Sequence, residues 1–195
     1  MTEVQGGFDV VGMASSAGGL SALTVVLQEL GADFPATVLI VQHLDPRHRS
    51  LMADILNRRS DLPVAEAAEG DKLLPGHVFI APPNHHLLVN SDATLVLTET
   101  ELVHFVRPSA DLLFESMGAS FRDRAIAVIL SGTGSDGAMG SRAVKQMGGT
   151  VIAQDAGAEF SGMPEAAIGT GAVDFVLPLG EIAGALRALV MGSDA

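Results

Sequence analysis

The sequence predicts an α/β fold: a doubly wound three-layer α/β/α sandwich whose sheet is mostly parallel, with an antiparallel edge hairpin. Three observations predict it. Short apolar runs alternate with segments of helical period, the order that builds a parallel sheet covered by helices. A run such as Thr37-Val38-Leu39-Ile40-Val41 is continuously apolar, as expected of a strand buried on both faces. Polar, glycine-rich clusters follow several of these runs, where strand-to-helix loops belong.

In chain order, Asp9-Val10-Val11-Gly12-Met13 reads as the first strand. Leu20, Leu23, Leu27 and Leu30 then recur at helical spacing, and Gly31 is a good C-terminal stop. Residues 37–42 form a second strand, followed by a helix near Ser50 to Arg58. Between residues 62 and 98 the rhythm breaks. His77-Val78-Phe79-Ile80 and His86-Leu87-Leu88-Val89 flank Pro82-Pro83-Asn84, and Thr94-Leu95-Val96-Leu97 follows the turn Asn90-Ser91-Asp92. Two strands joined by so brief a turn must be antiparallel, an extension at one sheet edge. The doubly wound order resumes with helix 109–122, strand 125–130, helix 137–147 and strand 150–153. A short helix after Pro164, a strand over 172–177 and a helix over 179–191 complete it. No repeat, low-complexity tract or long linker interrupts the chain, so one domain is expected over residues 8–191.

Composition narrows the function classes. The 195 residues are 48% hydrophobic, and with no cysteine neither disulfides nor thiolate metal sites can form. The net charge is -12, from 23 acidic against 11 basic residues, and no basic run appears. Nucleic-acid binding needs a cationic footprint, so it is not expected. The first residues lack the basic start and apolar run of a secretory signal. No apolar stretch approaches the roughly 20 residues of a membrane span. A cytoplasmic protein without direct membrane insertion is expected. His85 and His86 are adjacent and point to opposite faces of a strand, and no H-E-x-x-H spacing occurs, so no metal site is expected.

Three polar clusters fall just past the carboxyl ends of expected strands: Ala14-Ser15-Ser16-Ala17-Gly18-Gly19, Gln42-His43-Leu44-Asp45-Pro46, and Ser131-Gly132-Thr133-Gly134-Ser135-Asp136-Gly137. In a parallel sheet those ends share one edge, where ligands bind. Ser16, His43 and Asp136 can therefore converge. Their types suit acyl transfer: a hydroxyl that attacks, an imidazole that takes its proton, and a carboxylate that fixes the tautomer. Each alone has an ordinary reading. Ser16 is a turn or cap residue, His43 a buried strand-end histidine, and Asp136 a cap for the helix after it. The coincidence at one edge carries the inference. Ser16 lies between Ala14 and Gly18, not in a G-x-S-x-G elbow, and the order Ser, His, Asp differs from that of α/β-hydrolases.

A competing motif is Gly132-Thr133-Gly134-Ser135-Asp136-Gly137, a literal G-x-G-x-x-G after a strand, with Asp155 at the end of the next. Asp136 argues against it, since a carboxylate inside the loop would repel a pyrophosphate. No cofactor is expected.

With these residues assembled, the chain resembles the catalytic domain of the bacterial chemotaxis protein-glutamate methylesterases over nearly its whole length. The matching segments are Ser16-Ala17-Gly18-Gly19, Val41-Gln42-His43, Arg107-Pro108-Ser109-Ala110-Asp111-Leu112-Leu113-Phe114, Leu130-Ser131-Gly132-Thr133-Gly134-Ser135-Asp136-Gly137-Ala138, and Gly162-Met163-Pro164-Glu165-Ala166-Ala167. The resemblance implies a serine hydrolase with Ser16 as nucleophile, His43 as base and Asp136 as orienting acid. It implies glutamyl methyl esters on the cytoplasmic helices of methyl-accepting chemoreceptors as substrates, with glutamine deamidation in some members. The oxyanion would be held by the backbone N–H groups of Ala17 and Thr133. Thr133 stands where many relatives carry methionine, which favours a backbone role there. Family members commonly carry an N-terminal receiver domain. Residues 8–191 are expected to be the methylesterase catalytic domain with no receiver among them, either as a stand-alone esterase open to a response-regulator domain in trans or as one domain of a longer protein.

Overall fold

A computed structural model describes residues 9–43 and 51–192. In chain order the elements are β1 (Val10–Ser15), α1 (Gly19–Leu30), β2 (Thr37–Gln42), α2 (Met52–Asn57), β3 (Val64–Glu66), β4 (Val78–Ile80), β5 (His86–Val89), β6 (Leu95–Thr98), α3 (Ala110–Phe121), β7 (Ala125–Ile129), α4 (Ala138–Gln146), β8 (Thr150–Gln154), α5 (Gly162–Gly169), β9 (Phe175–Leu177) and α6 (Leu179–Met191). Seven strands form one sheet in the order β3-β4-β2-β1-β7-β8-β9, and every pairing in it is parallel.

Parallel strands expose apolar side chains on both faces, so both faces must be covered. Side chains of β1 alternate accordingly. Val11 and Met13 enter a core beneath α1, α2 and α6, built on Leu23, Leu27, Leu56, Ile182 and Leu186. Val10 and Ala14 enter a second core beneath α3, α4 and α5, built on Leu113, Phe114, Met117, Val144 and Met163. Gly12 is on this second face. A methyl group there would press on Met117 Sδ and Phe114, so glycine lets α3 settle against the sheet.

The order reverses at β1, which has β2 on one side and β7 on the other. Connections leaving in opposite directions open a crevice at the carboxyl ends, where ligands of doubly wound sheets bind. The three site clusters follow β1, β2 and β7, the three central strands.

The expected antiparallel hairpin is present as β5–β6, with His86 opposite Thr98 and Val89 opposite Leu95. It forms its own two-stranded sheet instead of adding to an edge of the large one. The reason lies in its apolar residues. Leu87, Val89 and Leu95 are fully or almost fully buried in the α3-side core. Ser116 and Ser120 of α3 fasten Val89 through its N–H and carbonyl. The hairpin thus faces a helix, while the large sheet ends at β3 and β9. Strand β3 carries no sequence signal, because only Val64 of its three residues is buried. Strand β9 starts at Phe175, later than the expected Ala172, since the Asp174 carboxylate instead accepts the Val151 N–H at 2.9 Å. Helix α5 starts at Gly162 and takes Pro164 into its first turn, where a missing N–H costs nothing.

Candidate active site

Ser16 and His43 are consecutive to the last paired residues of adjacent strands, Ser15 on β1 and Gln42 on β2. The parallel register therefore carries them side by side at the sheet edge. The His43 N–H donates to Ser15 O at 3.1 Å. Gln42 clips the pair from within the sheet. Its Oε1 accepts the Ser15 hydroxyl at 2.5 Å, and its Nε2 donates to Ser16 O at 2.8 Å and His43 O at 3.1 Å. The clip needs Gly19, because any Cβ there would run into Gln42 Oε1 and Ser15 Oγ.

From the other side, β7 and its loop hold the same turn. The Ser16 N–H donates to Ser131 O at 3.0 Å, and the Ser131 hydroxyl donates to Ala17 O at 2.8 Å. Gly132 is so close that a Cβ would lie 3.0 Å from both Cβ and N of Ser16, and closer still to Met163 Sδ. Gly162 and Met163 press this loop from below, and the Met163 N–H donates to Gly132 O at 2.9 Å. The Gly162-Met163-Pro164 segment thus supports the loop that supports the serine.

Asp136 ends that loop and is 3% exposed. Its Oδ2 lies 2.7 Å from His43 Nε2, and His43 itself is 14% exposed. Oδ2 also accepts the Ala110 N–H at 2.7 Å, while Oδ1 accepts the Ser109 hydroxyl at 2.8 Å and the Asp111 N–H at 3.1 Å. These amides are the free first turn of α3, which favours an anion. Burial pushes the Asp136 carboxyl up, but the bonds from His43, Ala110, Asp111 and Ser109 together outweigh it. The group is held below its ordinary value, ionised.

An ionised acceptor at Nε2 requires that nitrogen to carry the ring proton. Nδ1 is then the ring nitrogen that can accept a proton, and no group among the described residues bonds to it. Ser16 Oγ makes no hydrogen bond to the ring in this resting geometry. Serine, ring and carboxylate nonetheless line one cleft of about 460 Å³, together with His104, Phe105, Val106, Thr133, Gly134 and Ser135. Among the described residues, the N–H groups of Ala17 and Thr133 have no acceptor, so both are free to meet a developing oxyanion. Asp45, in the cluster that follows β2, lies outside the described residues.

Sequence reasoning missed the partners of Asp136. Ser109 and Asp111 stand at the start of α3, and Asp136 reads as a cap for α4. The structure exchanges them. Asp136 caps α3, and Asp111 Oδ1 accepts the Gly137 and Gly140 N–H groups at the start of α4, at 3.0 and 2.7 Å. Gly140 permits this approach, since a Cβ there would meet Phe114 and the Asp111 backbone. His86 is fully buried behind Ser109. It accepts the Ser109 N–H at Nδ1 (3.1 Å) and faces Glu101 O through Nε2 (2.9 Å). Among the described residues no three histidine or carboxylate side chains come together as a metal set.

Comparison with known proteins gives the family. The family model described as CheB methylesterase matches residues 11–186. The putative protein-glutamate methylesterase/protein-glutamine glutaminase of Leptospira interrogans is 38% identical over 177 residues, covering 90% of this chain and 92% of the relative. A protein of Moorella thermoacetica named protein-glutamate methylesterase/protein-glutamine glutaminase is 42% identical over 192 residues, 96% of this chain but 45% of the relative. Against such longer relatives the chain spans about half their length. The crystal structure of the Thermotoga maritima CheB methylesterase catalytic domain superposes with a TM-score of 0.90 at 36% identity, over 96% of this chain and 100% of that one. With the fold, the crevice and the sequence in agreement, the chain belongs to the CheB methylesterase family, a family of carboxylic ester hydrolases.

Proposed function

We propose that this chain is a serine hydrolase that demethylates glutamyl methyl esters on the cytoplasmic helices of chemoreceptors, with Ser16, His43 and Asp136 as its catalytic residues. The observation that carries the reading is the 2.7 Å contact of His43 with a buried, ionised Asp136 in the cleft that Ser16 lines. Attack of Ser16 Oγ on the ester carbonyl passes its proton to His43 Nδ1, and Asp136 supports the imidazolium through Nε2. The carbonyl oxygen becomes an oxyanion, met by the N–H groups of Ala17 and Thr133 beside the positive end of α1. Collapse breaks the C–O bond to the methoxy group, which leaves as methanol with the proton from His43. Water, deprotonated by the same ring, then attacks the acyl-serine. Glutamate is released and the hydroxyl restored. A glutamine side chain would follow the same path and lose ammonia.

The test is methanol release from a methylated receptor fragment by wild type and Ser16→Ala. The variant should be inactive while melting like wild type. Wild-type rates in Ser16→Ala would overturn the reading.

A further inference from the structure

The rim of the cleft carries an element that the catalytic steps do not use. Val103 and Val106 bond to each other in both directions, at 3.1 and 2.9 Å, closing a two-residue turn on His104 and Phe105. Both central residues have positive φ, 49° and 66°. Turns of this kind ordinarily take glycine, asparagine or aspartate there. The turn touches its surroundings at two points. His104 Nε2 lies 3.2 Å from Asp111 Oδ2, and Arg107, just after it, is bonded to Asn84 Oδ1 and to the carbonyls of Glu99 and Thr100. What it displays is Phe105, 94% exposed. Of the other described phenylalanines, four are buried and two are about 40% exposed. Phe105 also lines the cleft that holds Ser16.

A phenylalanine set in unfavourable backbone geometry, braced from behind and left in water at the mouth of a reactive cleft is accounted for by contact with what enters that cleft. Resting on the catalytic reading above, we propose that Phe105 is a specificity-determining residue that packs on apolar side chains three or four positions from the modified glutamate on the substrate helix. The spacing follows from helix geometry. Residues at i±3 and i±4 share the face of the ester, so they arrive at the rim as the ester side chain descends toward Ser16. Phe105 lines the cleft together with Ser16, so an aromatic there meets what flanks the ester. Asp111 touches both this turn and the α4 N-terminus beside Asp136, so a helix seated on Phe105 rests on the support of the catalytic carboxylate.

The experiment uses two cross-linked helical peptides bearing one glutamyl methyl ester, flanked at three and four positions by leucines or by glutamates. Wild type should favour the leucine peptide by about tenfold in kcat/KM. Phe105→Ala should lose most of that preference, and Phe105→Leu should keep most of it. A preference that survives Phe105→Ala, or none in wild type, overturns the proposal. Dimerisation of wild type that Phe105→Ala abolishes would assign the turn to self-association and overturn it as well. Hydrolysis that survives Ser16→Ala would remove the catalytic reading itself, and the proposal with it.

Discussion

Asp136 and Asp111 are adjacent buried carboxylates driven in opposite directions. Burial raises both, but Asp136 collects bonds from His43, Ala110, Asp111 and Ser109 and ends below its ordinary value. Asp111 is raised by burial first and by Asp136 as well, and the N–H groups of Gly140 and Gly137 and the charge on His104 do not offset this. A carboxyl with a depressed folded value contributes stability above its unfolded value and loses it as pH falls through the folded one. Urea titrations below about pH 4 should therefore show a shallower acid loss in Asp136→Asn than in wild type. Asp111 has the reverse sign: its contribution is present at low pH and lost as pH rises through its raised value. Asp136→Asn should also lower turnover at least ~10²-fold, or roughly 2.7 kcal/mol of transition-state stabilisation, since it permits the wrong histidine tautomer. Wild-type turnover in that variant would reduce Asp136 to a helix cap. Thr133→Ala keeps the backbone donor, so its turnover should stay within about threefold of wild type, against the ~10²–10³-fold cost of losing an oxyanion donor. A loss of that larger size would move the role to the side chain.

The elements explain why the serine is so tightly placed. Gly132→Ala would put a methyl 3.0 Å from Ser16 and against Met163. We expect a loss of about 1–3 kcal/mol by urea denaturation, as for other overpacked interiors, together with a fall in activity. Adding Met163→Ala removes the worst clash but also a fully buried thioether whose loss costs about 2–5 kcal/mol, so it should return little stability. It should return little activity, because the Ser16 contact persists. Full recovery of both would place the damage in α5 instead of at Ser16. Most elements were legible from period and punctuation, as with α1 between its glycine-rich start and Gly31. What escaped depended on partners remote in sequence. The three residues of β3 carry no apolar run, and the hairpin's destination is decided by burial of Leu87 and Val89 against α3. That Ser16, His43 and Asp136 meet at one sheet edge was legible from their positions after strands. The cap exchange between Asp136 and Asp111 was not, because sequence offers only local capping and this exchange needs α3 and α4 in contact. Likewise His86 reads as a strand histidine until its Ser109 contact is seen.

For the whole molecule, the doubly wound order does the assembling. Reversal at β1 brings the carboxyl ends of β1, β2 and β7 together, with Ser16, His43 and Asp136 lining one cleft, over two cores that cover both faces of the sheet. The net charge of -12 opposes that compactness through self-repulsion. The ion pairs Arg187–Asp33, Lys145–Asp174 and Arg124–Asp9 have exposed partners and contribute little. Raising salt from about 0.05 to 0.5 M should therefore increase the urea midpoint by screening repulsion more than it weakens these pairs. A falling midpoint would mean that attraction dominates the surface. The central claim is that acyl transfer occurs on Ser16 with His43 drawing off its proton. Its most direct test is labelling with a serine-directed phosphonate, followed by mass mapping in wild type and His43→Ala. The account predicts a single adduct on the peptide containing Ser16, lost or strongly slowed without His43. An adduct on another residue, or equal labelling in His43→Ala, would contradict it.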